Sequence, residues 1–321
     1  MRIAGIFAVM GLLLAACGEP DDDRQPILPA DCLADPECPV PFPSAHRGLC
    51  GGEPENTLAA ILNCESLGVP LIEVDPRETA DGVVVIMHDD TVDRTTDGET
   101  RFPGRTGVDQ LTLEEFKSLV IDHPDCRTDP DANPDRCHPP TFLEILQRTG
   151  EQTLFDVDFK AGDAAKLAQV AQDAGAAGRL LFFDDNIENL RAFRAVVTGG
   201  VVMPRAHDPA EVDALLAPEY DDLDIRWIHG DPPFAAEVKA RLAEHGARLY
   251  MNGWDGEDPA DVWIVAAMTA ETAENHELAA EYYQKAYQAL DKMLADGARG
   301  LGSDFAQKYA EYFYPNGFGE E

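Results

Sequence analysis

Residues 56–75 read NTLAAILNCESLGVPLIEVD, and the two halves of this stretch have different periods. In the first half Leu58, Ile61, Leu62 and Leu67 recur at helical spacing. Asn56 stands where an N-cap is wanted, and Gly68 where a left-handed residue ends a helix. The second half, 71–75, is a short apolar run of strand type that carries two acids. A helix followed at once by a strand is the building unit of an α/β protein, and the alternation continues outward in both directions. Strand candidates fall at 43–47, 71–75, 83–88, 153–160, 179–183, 201–204, 225–229, 248–252 and 300–304. Helix starts between them are legible: Thr112 with Glu115 forms a capping box, and Asp208-Pro209 and Asp258-Pro259 each place a cap before a first-turn proline. Strand–helix alternation over 321 residues implies a parallel sheet, and the architecture that fits is α/β, a (β/α)8 TIM barrel. Nine candidates for eight places mean that one is an insertion or a misreading. Residues 122–138 carry no periodicity and read as an insertion, and 271–294 reads as a helix longer than a barrel helix requires.

The chain carries 25 Lys and Arg against 60 Asp and Glu, a net charge of −35, with 45% apolar residues. That composition supplies a core and excludes a disordered or collagen-like chain. The charge excludes a nucleic-acid partner, because such a partner demands positive charge facing phosphates. An anionic substrate therefore needs a locally positive site on a repelling body. The N-terminus, Met-Arg followed by an apolar run from Ile3 to Ala16, has the form of a secretory signal and is too short for the roughly 20 residues of a membrane span. Leu14-Ala15-Ala16-Cys17 resembles a bacterial lipobox. The expectation is a signal peptide at 1–16, a lipidated Cys17 and an Asp- and Pro-rich tether over 17–43 that holds a catalytic domain, 44–321, off the membrane. Gly18 after Cys17 points to the outer membrane. Six cysteines remain, an even number consistent with disulfides in an oxidising compartment; the shortest loops pair 32–38, 50–64 and 126–137.

Chemistry-bearing residues concentrate in the first third. Glu73 and Asp75 stand at i and i+2 on a strand, so both point to one face. Two carboxylates held that close resist ionising together unless a cation lies between them, and hard oxygen ligands select Ca²⁺ or Mg²⁺. His46 and His88 fall at the ends of strand candidates, where barrel active sites are built, and imidazoles serve there as general acid and base.

The order His46-Arg47-Gly48, Pro54-Glu55-Asn56-Thr57, Glu73-Val74-Asp75, Thr79-Ala80-Asp81-Gly82 and His88-Asp89, closed by Arg94-Thr95-Thr96-Asp97-Gly98, resembles the glycerophosphodiester phosphodiesterase family. The likeness is dense from Ser44 to about Asp122. Farther on, Asp158-Phe159-Lys160 stands where the family has Glu-x-Lys, and Asp156 two residues earlier shares its face. Asp reaches about 1.5 Å less than Glu, so either acid is open as the third ligand. Ser303-Asp304 resembles the family's closing Thr-Asp, and Leu249-Tyr250-Met251-Asn252 lacks the family's Trp.

The resemblance implies one divalent metal, Ca²⁺ or Mg²⁺, on Glu73, Asp75 and Asp158, with Arg47 and Lys160 on the substrate phosphate and Glu55 and Asn56 supporting the site. His46 and His88 are the implied acid/base pair. The implied reaction is hydrolysis of small glycerophosphodiesters to sn-glycerol 3-phosphate and an alcohol, the membrane being met through the lipid anchor only. Two other readings stand beside it: a phospholipase D-like enzyme on lysolipids or sphingomyelin, and a non-catalytic binding lipoprotein. Asp129, Asp131, Asn133 and Asp135 alternate like a calcium loop, but Pro140 stands where an EF-hand needs Glu, and an acidic loop closed by a disulfide is the simpler expectation.

Overall fold

In the computed structural model, which describes residues 29–256 and 259–315, the strands are β1 (Phe42–Ala45), β2 (Leu71–Val74), β3 (Pro76–Glu78), β4 (Val84–Ile86), β5 (Leu154–Asp158), β6 (Leu180–Phe183), β7 (Val201–Met203), β8 (Arg205–Ala206), β9 (Trp227–Gly230), β10 (Arg248–Asn252) and β11 (Ala298–Ser303). Nine of them form one parallel sheet in the order β7-β6-β5-β2-β1-β11-β10-β9-β8. Its two end strands are consecutive in the chain, separated only by Pro204. β7 pairs with β6, β8 pairs with β9, and the Pro204 carbonyl accepts the His229 N–H at 2.9 Å. Proline has no N–H for the ladder, so one stave is split into two short strands. The sheet closes on itself as eight staves, the expected (β/α)8 barrel.

The surplus candidate is 83–88. Its ordered part, β4, pairs antiparallel with β3 in a hairpin outside the barrel, with Pro76 opposite Ile86 and Glu78 opposite Val84. A parallel crossover needs a dozen or more residues, whereas β3 and β4 are joined by a turn at Asp81-Gly82, with Gly82 at φ +81°. His88 therefore comes from this hairpin and not from the end of a barrel stave.

Two helix readings change. Thr57, not Asn56, caps the helix Leu58–Ser66, its hydroxyl accepting from the Ala60 N–H at 3.2 Å. Asn56 is left-handed, φ +56°, and its side chain is used elsewhere. The run 271–294 is broken: helices Ala260–Thr272 and His276–Asp296 flank a short turn in which Glu274 has φ +59° and Asn275 caps the second helix. The caps at Thr112 and Asp208 form as expected, while Asp258 lies outside the described residues. Among the described residues no helix is long and apolar enough to cross a membrane.

The described part of the expected tether is folded. The helix Pro29–Ala34 and the disulfide Cys32–Cys38 place a fully buried Leu33 under the barrel. There it joins a core cluster with Phe42, Leu71, Leu154, Leu181 and Trp227. The Leu33 carbonyl accepts from Trp227 Nε1 at 2.9 Å and from the Arg248 guanidinium. This plug covers the end of the barrel where the strands begin. Cys50–Cys64 and Cys126–Cys137 are the other two disulfides, so all three follow the shortest-loop pairing. The signal segment and Cys17 lie outside the described residues.

Candidate active site

The inward alternation of β2 and β5 brings the acids together, since Glu73 is the register partner of Asp156 and Asp158 ends β5 one pleat higher. One carboxylate oxygen from each of Glu73, Asp75 and Asp158 lies within 4.8 Å of the others, the one such group found among the described residues. Lys160 Nζ stands 3.2 Å from Asp75 Oδ1 and 2.5 Å from Asp158 Oδ2. Glu73 and Asp75 are buried. Burial, then repulsion from Asp75, Asp156 and Asp158, pushes the Glu73 carboxyl well above the usual carboxylate range. Burial also raises Asp158, with Lys160 opposing and Asp75 adding to the rise. For Lys160, burial works downward, but Asp158 and Asp75 override it and the net shift is upward. Asp156 sits apart from this group, accepting from Ser44 Oγ at 3.3 Å, and is pushed up to about 7, chiefly by burial. Of the two acids left open on this strand, the geometry groups Asp158 with Glu73 and Asp75.

His46 follows β1 directly. Its Nδ1 is 2.7 Å from Asp304 Oδ1, its Nε2 is 3.9 Å from Glu73 Oε1, and the indole of Trp254 lies 4.7 Å from its ring. Asp304 arrives beside it because β11 pairs with β1, Ala45 opposite Ser303. The second imidazole is held in the same way, His88 Nδ1 lying 2.7 Å from Asp89 Oδ1. In each ring the aspartate accepts from Nδ1–H, which turns Nε2 of His46 toward Glu73 and Nε2 of His88 toward Arg47.

Around His88 the charges close a ring. Arg47 Nη2 donates to His88 Nε2 at 2.9 Å, and Arg47 Nη1 donates to Glu55 Oε1 at 3.2 Å. Arg94 grips both oxygens of Glu55, at 2.7 and 2.9 Å, and Asp89 at 2.5 Å. Burial of Glu55 is outweighed by Arg94 and Arg47, and its carboxyl falls below the usual range. Arg94, followed by His88, holds Asp89 well below its ordinary value. Arg77 fastens the backbone of the same turn, its guanidinium donating to the Met87 and His88 carbonyls. Arg47, at φ +53°, is one of four non-glycine residues among those described with left-handed backbone, and Asn56 is another. Such strain persists where surrounding bonds over-determine it. Asn56 Nδ2 donates to Asp75 Oδ2 at 2.6 Å and so fixes a carboxylate of the cluster.

Every predicted site residue within the described chain thus meets at one rim of the barrel. Sequence reasoning gave no role to Asp304, Asp89, Arg94, Arg77 or Trp254. Trp254 follows β10, and the rule that barrel chemistry gathers just past strand ends was the signal that could have found it. The acids of the insertion do not form a sphere: Asp131 faces His138 at 3.4 Å and Asp135 pairs with Arg148 at 2.7 Å.

Residues 46–194 match the Glycerophosphoryl diester phosphodiesterase family. The match carries the first half of the barrel, from His46 into the helix Ile187–Val196, and takes in the two histidines and the three clustered acids. A glycerophosphodiester phosphodiesterase of Caldanaerobacter subterraneus subsp. tengcongensis is 48% identical over 75 residues, 23% of this chain and 28% of that protein. Mammalian relatives, such as glycerophosphodiester phosphodiesterase 1 of Bos taurus, are matched over 21% of their length, so the chain spans between 21% and 28% of these curated relatives. The barrel as a whole superimposes on a glycerophosphoryl diester phosphodiesterase from Parabacteroides distasonis with a TM-score of 0.64 at 23% identity, covering 89% of this chain and 92% of that one. An Oleispira antarctica phosphodiesterase, solved with the product sn-glycerol-3-phosphate, gives 0.58 at 20% identity over 84% of this chain and 95% of its own. At these identities the likeness is one of fold.

Proposed function

We propose that the protein hydrolyses glycerophosphodiesters to sn-glycerol 3-phosphate and an alcohol. The observation that carries this reading is the convergence of Glu73, Asp75 and Asp158 beside two imidazoles, each held through Nδ1 by an aspartate. It draws further support from the Caldanaerobacter relative's name and from the product in the Oleispira structure.

The donor set fits a hard divalent cation, Ca²⁺ or Mg²⁺. Its ligands would be Glu73, Asp75 and Asp158, all oxygen donors, and the only cation beside buried Asp75 Oδ1 among the described residues is Lys160, at 3.2 Å. When bound, such an ion supplies positive charge against the phosphoryl oxygen on which negative charge builds. Lys160 and Arg47 present N–H donors to the remaining phosphate oxygens, Arg47 exchanging its bond to His88 Nε2 for one to the phosphate while Glu55 keeps hold of its other nitrogen. One Nε2, of His46 or His88, takes the proton of the attacking hydroxyl: water gives sn-glycerol 3-phosphate directly, whereas the glycerol 2-hydroxyl gives a cyclic phosphodiester that a water then opens. The other, entering the step as the imidazolium with a proton on each nitrogen, gives its Nε2 proton to the leaving alcohol. Asp304 and Asp89 accept from Nδ1–H in both rings, so Nε2 is the atom that takes or gives the proton.

A coupled assay for released glycerol 3-phosphate across several headgroups, with and without chelator, tests the reading. His46→Ala and His88→Ala are each expected to lower turnover by about 10²–10⁴-fold with little change in melting temperature. Near-wild-type rates would remove these residues from the mechanism. A second reading, hydrolysis of lysolipids, is favoured by one observation: Val262, Val265 and Met268 expose an apolar stripe on a helix that starts near the rim. Comparing glycerophosphocholine with lysophosphatidylcholine separates the two. Export and lipid anchoring through Cys17 complete the proposal, supported by the lipobox-like sequence and by three disulfides, which persist in oxidising compartments. Loss of labelled fatty-acid incorporation in Cys17→Ser is the expected result.

A further inference from the structure

Beside the acids, the barrel holds a cavity of about 170 Å³ lined by His46, Glu73, Arg205, His229, Tyr250 and Asn252 among others. Below it the barrel is closed by the apolar layer of Phe42, Leu71, Leu154 and Trp227. His229 is the anomaly in this wall. It is 6% exposed, and neither ring nitrogen has a hydrogen-bond partner. Phe183 and Tyr250 meet its ring edgewise at 5.0 Å on both sides, so aromatic packing fixes its plane while its polar edge stays unused. Arg205 Nε and Asp156 Oδ1, also lining the cavity, are buried without partners too. Unsatisfied buried groups cost stability, and several around one cavity point to a ligand that satisfies them.

We propose that His229 is a specificity residue whose two ring nitrogens bind the hydroxyls of an unacylated glycerol lodged in this cavity. The assignment rests on the hydrolase reading above and extends it to a residue outside the acid, base and phosphate-binding set. Burial, then the charges of Arg205 and His207, lowers the His229 pKa to about 3, so the ring is neutral and offers one donor and one acceptor. A free hydroxyl both gives and takes a hydrogen bond and matches that pair. An acylated hydroxyl has no proton to give and cannot satisfy the ring's acceptor nitrogen.

The test is the ratio of dissociation constants for sn-glycerol 3-phosphate and methyl phosphate, measured by titration calorimetry with Ca²⁺ present. Wild type is expected to prefer the glycerol ligand by about tenfold or more, the sum of two hydroxyl hydrogen bonds. His229→Leu is expected to compress that preference to under about threefold, and His229→Asn, which keeps one donor and one acceptor, to fall between. A wild-type preference under threefold, or an unchanged preference in His229→Leu, overturns the assignment. If His229→Leu does not fold, His229→Asn decides alone, and an unchanged ratio there is fatal. An intact preference without turnover of glycerophosphocholine would sink the hydrolase reading and leave the pocket, whereas turnover without preference would sink the pocket alone.

Discussion

Asp156 offers a direct measurement of what the acid-rich barrel costs. The carboxyl is 2% exposed, its Oδ1 is unpartnered, and its pKa is raised from 3.8 to about 7 by burial, with Asp158 and Asp75 contributing repulsion. At 1.4 kcal/mol per unit the rise corresponds to about 4 kcal/mol. Below pH 3.8 folded and unfolded chains both carry the proton and the group costs nothing. Between 3.8 and about 7 the unfolded chain ionises while the folded chain keeps its proton, so stability falls as pH rises, and above 7 the full cost is present. Asp156→Asn removes the titration, keeps the shape and still accepts from Ser44. In chelator it should match wild type near pH 4 and exceed it by most of about 4 kcal/mol at pH 8, about 6 °C in melting temperature for a domain of this size. Urea denaturation of both proteins at the two pH values is the assay. A stability difference that does not change with pH would refute the argument.

Arg94→Ala leaves Asp89 and Glu55 without their shared partner and should lower kcat by about tenfold while KM moves little, since Arg94 acts on Arg47 and His88 through those acids. Steady-state kinetics checks this, and an unchanged kcat refutes it. At the barrel floor, Leu33→Ala should cost about 2–5 kcal/mol in denaturant unfolding, as for a fully buried leucine. Replacing Cys32 and Cys38 by Ser should cost about 2 kcal/mol from the short loop they close. Losses under 0.5 kcal/mol in both would mean that the plug is not part of the folded unit.

Much of this was legible because barrels repeat. Eight of nine strand candidates became staves, and the ninth failed for a reason visible in the chain: five residues between β3 and β4 are too few for a parallel crossover. The acids were legible because i and i+2 on a strand share a face. What stayed hidden depended on distant contacts. The plug at 29–34 is a turn and a half of helix, too short to show a period, and its burial depends on Trp227 and Arg248, about 200 residues away. Asp304 meets His46 across 258 residues only because the last strand closes the barrel beside the first. Asn56 and Thr57 are both good caps, and the left-handed backbone that hands Asn56 to Asp75 decides between them.

The balance of charge at the rim makes a last demand. The ring around His88 sets Arg47 and Arg94 against Glu55 and Asp89 and is neutral as a whole. The neighbouring cluster sets Glu73, Asp75 and Asp158 against Lys160 alone, an excess of two negative charges when all are ionised, inside a body of net charge −35. A phosphodiester brought to that cluster is repelled at short range, where screening by salt is weak. A divalent cation on the three acids cancels the excess. Chelation should therefore weaken binding itself and not only slow the chemical step. The expected result is a dissociation constant for sn-glycerol 3-phosphate at least about tenfold weaker in chelator than with Ca²⁺ or Mg²⁺, and a Glu73→Gln protein whose affinity responds much less to either ion. Equal affinity with and without the ion would mean that Lys160 and Arg47 alone overcome the acids, and the charge argument would fail at its first step.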